Sequence, residues 1–270
     1  MTRTLLAVAA AGVAGLVEAA GAVAAPALVT GSAVYGLSLE DESGTMGGVT
    51  GSMTAVLTRD CDTYRSTTSL VADFEGPMGS LPLDMESDVY EKADSLVFDI
   101  RGEFASMEIE RARGEATRTD GGIAVALTEP KTETRTVDGD VIFPLAMMGA
   151  AVAAAKAGKT LVDFSVYDGS GHGRDVWLVS VTIGAAPESG DESGDDALFA
   201  AGLGFSGMDR WQMGFSYYPA DATGDLTPAF SSSAVVYENG FAQAASYDFG
   251  EFALRLKLEE FSPIPPEPCP

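Results

Sequence analysis

The sequence predicts an all-β fold in which about fourteen strands form an antiparallel sheet, accompanied by one short helix. Apolar residues recur at every second position over most of the chain, which is the pattern of half-buried strands. Glycine-containing turn signals separate these runs at short intervals. One alanine-rich segment departs from the alternation, and this segment predicts the helix.

Several segments show the alternation clearly, with apolar side chains on one face and polar side chains on the other. Their apolar residues are, in chain order, Tyr35, Leu37 and Leu39; Val49, Met53, Ala55 and Leu57; Leu96, Phe98 and Ile100; and Phe252, Leu254, Leu256 and Leu258. Strands are also predicted at 160–167 and 176–183. The turn signals between strands are Asp120-Gly121-Gly122, Asp138-Gly139, Asp168-Gly169 and Asn239-Gly240.

The segment 144–157 predicts the helix. Pro144 suits the first helical position, where no N–H donor is needed, and Gly158 after Lys156 suits the end of a helix. Because the segment is apolar nearly all round, it should be buried against the sheet. Met147 and Met148 are interpreted as core residues rather than as a ligand-facing pair.

Residues 1–24 are predicted to be a secretory signal peptide. Arg3 supplies the positive start, and the apolar run 5–17 is shorter than the roughly 20 residues that span a bilayer. Ala22 and Ala24 are small residues suited to signal peptidase. A retained anchor or a buried helix is the alternative. Cleavage would leave 25–270 as a single exported domain.

Cys61 and Cys269 are the two cysteines of the chain, and they are predicted to form a structural disulfide. In an exported protein an even, low cysteine count usually serves this purpose. A redox or nucleophilic cysteine is the alternative, but it needs a cation or a helix N-terminus nearby to lower its thiol pKa. Asp60 and Asp62 beside Cys61 act in the opposite direction, although Arg59 is close.

Two further segments are predicted to lie outside the strands. Residues 187–196 contain five carboxylates and are interpreted as a solvated acidic loop, because their spacing matches no calcium-binding loop. Whether this loop orders around a cation is left open. The proline-rich tail 262–270 cannot donate regularly to a strand ladder, so it should be free to fray unless it is tied down.

The charge balance excludes several classes of function. Forty Asp and Glu residues against sixteen Lys and Arg residues give a net charge of −24, the opposite of what nucleic-acid binding requires. The same charge disfavours docking on anionic lipid.

One histidine and two cysteines cannot build an ordinary four-ligand zinc site. With no phosphate-binding or dinucleotide motif either, neither a metal nor a cofactor is predicted.

One glycine-rich stretch, 168–175, contains the residue types of a catalytic triad: Ser170, His172 and Asp175. A triad needs these groups to meet in a defined geometry beside an oxyanion hole, whereas here they are neighbours between two predicted strands. The stretch is therefore interpreted as a hairpin tip. No catalytic residue is predicted, and a non-enzyme is favoured.

A series of short segments is similar, in order and spacing, to one known family. The segments are Gly31–Leu39, 60–64, 143–144, 164–170, 211–218, 227–228, 237–240 and Cys269. Together they resemble the EipB family, periplasmic proteins of Gram-negative bacteria linked to cell-envelope integrity. The resemblance extends over nearly the whole predicted mature chain.

The resemblance implies an antiparallel β-spiral, or half-barrel-like assembly, with an internal helix. It also implies a disulfide between an early loop and the C-terminus, at Cys61 and Cys269 in this sequence. The family has no established enzymatic activity and is linked functionally to a periplasmic tetratricopeptide-repeat protein. The acidic loop 187–196 and the glycine-rich stretch that follows it depart from the family pattern.

Three functions are compatible with these observations. The favoured one is a non-enzymatic periplasmic protein that supports envelope integrity by binding an envelope component. The second is a carrier whose curved sheet encloses a lipid or a lipoprotein acyl chain. The third is an outer-membrane barrel, which shares the signal peptide and the alternating strands but would not end in so many prolines.

Overall fold

A computed structural model of the chain describes residues 27–40, 47–76, 79–187, 202, 205, 207–223, 227–250, 252–267 and 269. The predicted signal peptide 1–24 and residues 188–196 of the acidic loop lie outside these residues. The described strands are β1 (Gly31–Leu39), β2 (Gly48–Asp60), β3 (Thr63–Gly76), β4 (Gly79–Glu91), β5 (Ser95–Phe104), β6 (Met107–Thr119), β7 (Gly122–Glu129), β8 (Glu133–Asp138), β9 (Val141–Ile142), β10 (Leu161–Val166), β11 (Trp177–Ala185), β12 (Arg210–Pro219), β13 (Phe230–Tyr237), β14 (Ala242–Asp248) and β15 (Ala253–Pro263). The helices are α1 (Pro144–Lys156) and α2 (Ser170–Gly173).

All fifteen described strands belong to one sheet that curls on itself into a nearly closed, barrel-like form. The strand order runs from β8 down to β1, crosses to β15, and continues down to β9. Neighbouring strands are antiparallel except β9 and β10, which are parallel. The predicted antiparallel all-β fold and the spiral that the family resemblance implied are therefore confirmed.

The alternation of the sequence decides which face of the sheet points inward. Ala33, Tyr35 and Leu37 of β1 are buried, and their neighbours in the sheet, such as Leu254 and Leu256 of β15, are buried beside them. Most charged residues of the strands lie on the other face, where several pair across strands. Three such ion pairs are Arg65–Asp88, Arg101–Glu86 and Arg113–Asp99. Exposed pairs of this kind are screened by solvent and add little to stability, so the sheet depends mainly on its inner face.

The helix α1 begins and ends within one residue of its predicted bounds. It lies on the inner face of the sheet, with Ala151 and Val152 fully buried in a cluster that includes residues of β10–β13. Met147 belongs to that cluster and Met148 packs against it, which agrees with their interpretation as core residues. No helix in the described part of the chain is long and apolar enough to cross a bilayer.

The C-terminal segment is predicted to fray unless it is tied down, and in the structure backbone pairing ties it down. The last strand continues to Pro263, which is paired in register with Gly31 of β1. Beyond it, Ile264 and Glu267 have N–H groups that prolines lack, and these donate to the carbonyls of Thr30 and Arg59 at 3.1 Å each. The residues between the prolines thus hold the tail on the sheet.

Candidate binding site inside the curled sheet

Two segments fill part of the space inside the sheet. The first is α1, which covers the inner face of β10–β13, where Val181 and Met213 are fully buried. The second is the connection between β10 and β11, whose Tyr167 ring contacts Phe98 of β5 edge-on at 5.9 Å between centroids. The sequence indicated this connection as a hairpin tip, but it did not indicate that the segment packs on β5 and β6.

The remaining inner face is apolar but less completely covered. The apolar cluster on this face contains no described residue of α1 or α2. Its partly buried members are Leu39, Met53, Ala55, Leu70, Leu83, Phe104, Ala245, Tyr247, Phe252, Leu258 and Phe261, and we call them the open inner face. These side chains point into the fold but still keep accessible surface, which indicates that the interior is incompletely filled. An incompletely filled apolar interior is the usual setting of a ligand cavity.

A row of aromatic rings lies at one end of the sheet, where β11 and β13 begin and β3, β5 and β12 end. Successive contacts join Trp177, Tyr217, Phe230, Phe249, Phe252, Phe74 and Phe104, and we call these residues the aromatic row. Tyr217 and Phe230 are stacked with centroids 4.2 Å apart. Phe249 is 42 % exposed, so the row extends from the interior to the surface.

Three inward-facing tyrosines, one of which (Tyr217) belongs to the aromatic row, lie close together inside the sheet. Burial raises the pKa of Tyr35 to about 12, with Tyr247 nearby contributing to the increase, and burial also raises the pKa of Tyr217 and Tyr247. The Tyr35 hydroxyl donates to the carbonyl of Ala242 at 2.9 Å. By contrast, the Tyr247 hydroxyl has no hydrogen-bond partner among the residues that the structure describes. Sequence analysis did not single out Tyr247, although its alternation with Ala245 places both on the inward face.

The predicted glycine-rich loop holds its three triad-like residues in separate contacts. The Ser170 hydroxyl accepts a hydrogen bond from the indole N–H of Trp177 at 3.0 Å. The Nδ1 atom of His172 instead lies 3.2 Å from the backbone nitrogen of Arg111 on β6. Gly171 lies against the carboxyl group of Asp175, leaving no room there for a side chain. The structure therefore gives these residues positioning contacts, and the absence of catalytic residues stays a prediction.

Glu110 of β6 attaches this loop to the sheet. Its carboxylate accepts hydrogen bonds from the backbone N–H groups of Gly171 at 3.1 Å and His172 at 2.7 Å. Both residues adopt a left-handed backbone conformation, with φ of +62° and +57°, which directs their successive N–H groups toward one acceptor. An acidic residue on the inward side of β6 is the sequence signal that would have indicated this contact.

Glu91, at the end of β4, is a second inward-facing acid. It is 4 % exposed, and its two carboxylate oxygens accept hydrogen bonds from Leu145 N–H at 2.9 Å and Ala146 N–H at 2.8 Å. Burial raises its pKa to about 7, while the two hydrogen bonds act in the opposite direction. Glu91 thus satisfies the free N–H groups of α1, because Phe143 at the N-cap offers no side-chain acceptor.

The edge strands of the described sheet are β8 and β9, and a cleft of about 440 Å³ lies beside β8 and β10 at this opening. Arg135 of β8 donates to the carbonyl of Arg174 at 2.7 Å, and Arg174 donates to the Glu133 carboxylate at 2.8 Å. These contacts join β8 to the loop that follows α2. The cleft is also lined by Val137 and Trp177.

Cys61 and Cys269 are brought together by the fold. Their Cα atoms are 5.1 Å apart, within the range that a disulfide requires. Cys61 lies in the turn between β2 and β3, and the nearby Glu267 pairs with Asp60. This geometry is compatible with the predicted disulfide, which stays a prediction until the thiols are measured.

Within the described ranges, no group of three or more His, Cys, Asp or Glu side chains is arranged to hold a metal ion.

Comparison with known proteins agrees with this architecture. The sequence model of the family described as EipB-like matches residues 22–265. The cell envelope integrity protein EipB of Brucella abortus (strain 2308) is 28 % identical over 254 residues, which cover 91 % of this chain and 88 % of the relative. A crystal structure of a beta-barrel-like protein of a domain of unknown function, also from Brucella abortus, aligns with a TM-score of 0.77 at 24 % identity. That alignment covers 89 % of this chain and 100 % of the other.

Proposed function

Because this chain belongs to the EipB-like family, we propose that it is a periplasmic, non-enzymatic protein that supports cell-envelope integrity by binding an envelope component. The name of its Brucella relative supports the envelope role. The observation that carries the binding role is the open inner face, an apolar surface inside the sheet whose side chains are only partly buried.

The periplasmic location has two supports in the sequence. The first is the signal-peptide pattern of residues 1–24, and the second is a cysteine pair suited to an oxidising compartment. We expect osmotic shock to release the protein without its first 24 residues. Partition of the protein into a detergent phase would contradict this location.

Affinity capture tests the binding role directly. The tagged protein, exported in its own host, is purified from envelopes, and bound proteins and lipids are identified together. We expect a specific component that is absent when an exported protein of similar charge is captured in the same way. A periplasmic tetratricopeptide-repeat protein is one candidate partner. Capture that returns neither a protein nor a lipid would contradict the binding role.

A second candidate function is a carrier of a lipid or of a lipoprotein acyl chain. The specific observation in its favour is that the aromatic row connects the open inner face to the surface at exposed Phe249. Lipid that co-purifies with the exported protein, identified by mass spectrometry, would favour the carrier. A captured protein without lipid would favour the first function.

A further inference from the structure

We propose that the open inner face holds the acyl chain of a neutral or zwitterionic monoacyl lipid, and that the Tyr247 hydroxyl donates a hydrogen bond to the carbonyl group at the head of that chain. The inference rests on the carrier function proposed above and specifies its ligand and its site.

The shape and chemistry of the open inner face favour a slender apolar ligand. The face lies on the inside of a sheet that nearly closes, so a folded protein or a second copy of this chain cannot reach it. Its members are aliphatic and aromatic, among them Met53, Leu70 and Leu83. Burying apolar area of this kind contributes about 25 cal/mol per Å², which a long acyl chain can supply along its whole length.

Tyr247 provides a hydrogen-bond donor on this otherwise apolar surface. Its ring belongs to the open inner face, and its hydroxyl has no hydrogen-bond partner among the described residues, whereas the nearby Tyr35 hydroxyl is bonded to Ala242. Tyr247 is partly buried, and no described group accepts a hydrogen bond from its hydroxyl, so a ligand that accepts a hydrogen bond there gains affinity. An ester or amide carbonyl at the head of an acyl chain is such an acceptor.

The route to the site lies at the aromatic row. Apolar residues are exposed at this same end of the sheet: Phe249 at 42 %, Leu81 at 36 % and Met107 at 63 %. Leu81 is paired with Phe74, and Met107 with Phe104, so both lie beside members of the row. Exposed apolar side chains that continue into a partly filled interior are typical of a ligand opening.

The charges of the protein favour a lipid whose head group has no net negative charge. Arg65, Arg101 and Arg255 pair with carboxylates of neighbouring strands on the outer face of the sheet, and these carboxylates are Asp88, Glu86 and Glu40. The protein as a whole carries a net charge of −24. An anionic head group at the opening would therefore be repelled, whereas a neutral or zwitterionic one would not.

Titration calorimetry of the exported, delipidated full chain with palmitoyl-lysophosphatidylethanolamine tests the proposal. We expect saturable binding of one lipid per chain, and weaker binding of the anionic palmitoyl-lysophosphatidylglycerol. Tyr247→Phe should weaken binding by about three- to ten-fold, the loss of one neutral hydrogen bond. Tyr35→Phe is the matched control and should bind like the wild type, because its hydroxyl serves the backbone.

A second pair of variants tests the location of the chain. Ala245→Phe fills the open inner face beside Tyr247 and should abolish binding, whereas Ala244→Phe places the same ring on the exposed side of β14 and should not. Circular dichroism establishes that each variant is folded. Should Ala245→Phe misfold, Met53→Trp and the outward Ser52→Trp replace the pair.

Three results would overturn the inference. They are an absence of saturable binding to the wild type, equal affinities for Tyr247→Phe and Tyr35→Phe, and undiminished binding by a folded Ala245→Phe. Equal binding of the anionic lipid would overturn the assignment of the head group. If lipid does not bind but envelope capture returns a specific protein, this inference fails while the proposed function stands.

Discussion

The carboxylate of Glu91 accepts a hydrogen bond of 2.9 Å from the backbone N–H of Leu145, joining the end of β4 to the first turn of α1. At the other end of the helix, Lys156 pairs with Glu238 at 2.7 Å. Only the Glu91 contact is buried. The position of the helix inside the sheet therefore depends strongly on one side chain that lies 54 residues away in sequence.

Replacing Glu91 with Gln should make stability less dependent on pH. Burial raises the pKa of Glu91 from 4.5 to about 7, so between these values the folded protein keeps a proton that the unfolded chain releases. Stability therefore falls as the pH rises from about 4.5 to about 7, by roughly 3 kcal/mol. Thermal denaturation should show a larger decrease in Tm over this range for the wild type than for Glu91→Gln.

Glu103→Gln serves as the control, because Glu103 is exposed on β5. It should follow the wild type at each pH. If Glu91→Gln and the wild type lose the same stability between pH 4 and pH 8, each about half a unit or more outside the titration range, Glu91 is not the group responsible.

Cys269→Ser should lower Tm and increase proteolysis while leaving the fold recognisable by circular dichroism. A disulfide between residues 208 apart would restrict the unfolded chain by roughly 5 kcal/mol in the loop-entropy model. Thiol titration of the natively exported protein should detect no reactive thiol before reduction. Two reactive thiols per chain, or a disulfide-linked dimer on a non-reducing gel, would show the pairing to be wrong.

Glu110→Ala should loosen the loop around α2. The substitution removes the acceptor of two backbone hydrogen bonds, and hydrogen bonds to a charged group contribute about 1.5–3 kcal/mol each. We expect a lower free energy of unfolding and faster protease cleavage near residues 169–175. Glu108→Ala, at an exposed position on the same strand, should change neither measurement.

Ser170→Ala should cost stability but not activity in the cell. The variant loses the hydrogen bond to Trp177, worth about 1 kcal/mol, and tryptophan fluorescence should report the change around the indole. A strain that carries Ser170→Ala or His172→Ala in place of the wild type should keep its resistance to envelope stress. Loss of resistance with normal protein levels would favour an enzyme instead.

The alternation of apolar residues predicted the faces of the strands well. Leu254, Leu256 and Leu258 of β15 point inward as their spacing indicates, and α1 follows the proline and glycine at its ends. These features depend on local geometry, which a short window of sequence contains.

The contacts that define the candidate site could not be predicted in the same way. The environment of Tyr247 depends on β1 and β12 as well as on its own hairpin, and the role of Glu91 depends on where α1 lies. A carboxylate in an inward position is visible in the sequence, but its partner is not, because the partner is brought to it by the closure of the whole sheet.

The pairing of β1 with β15 has a consequence for the order of folding. It is the one neighbouring pair in the described sheet that is not consecutive along the chain, and its register places Gly31 opposite Pro263. A circular permutant that links these two ends and opens the chain at Gly139, between β8 and β9, would have only sequence-adjacent strand neighbours. Since folding slows as contacting residues lie farther apart in sequence, the permutant would fold faster than the natural chain.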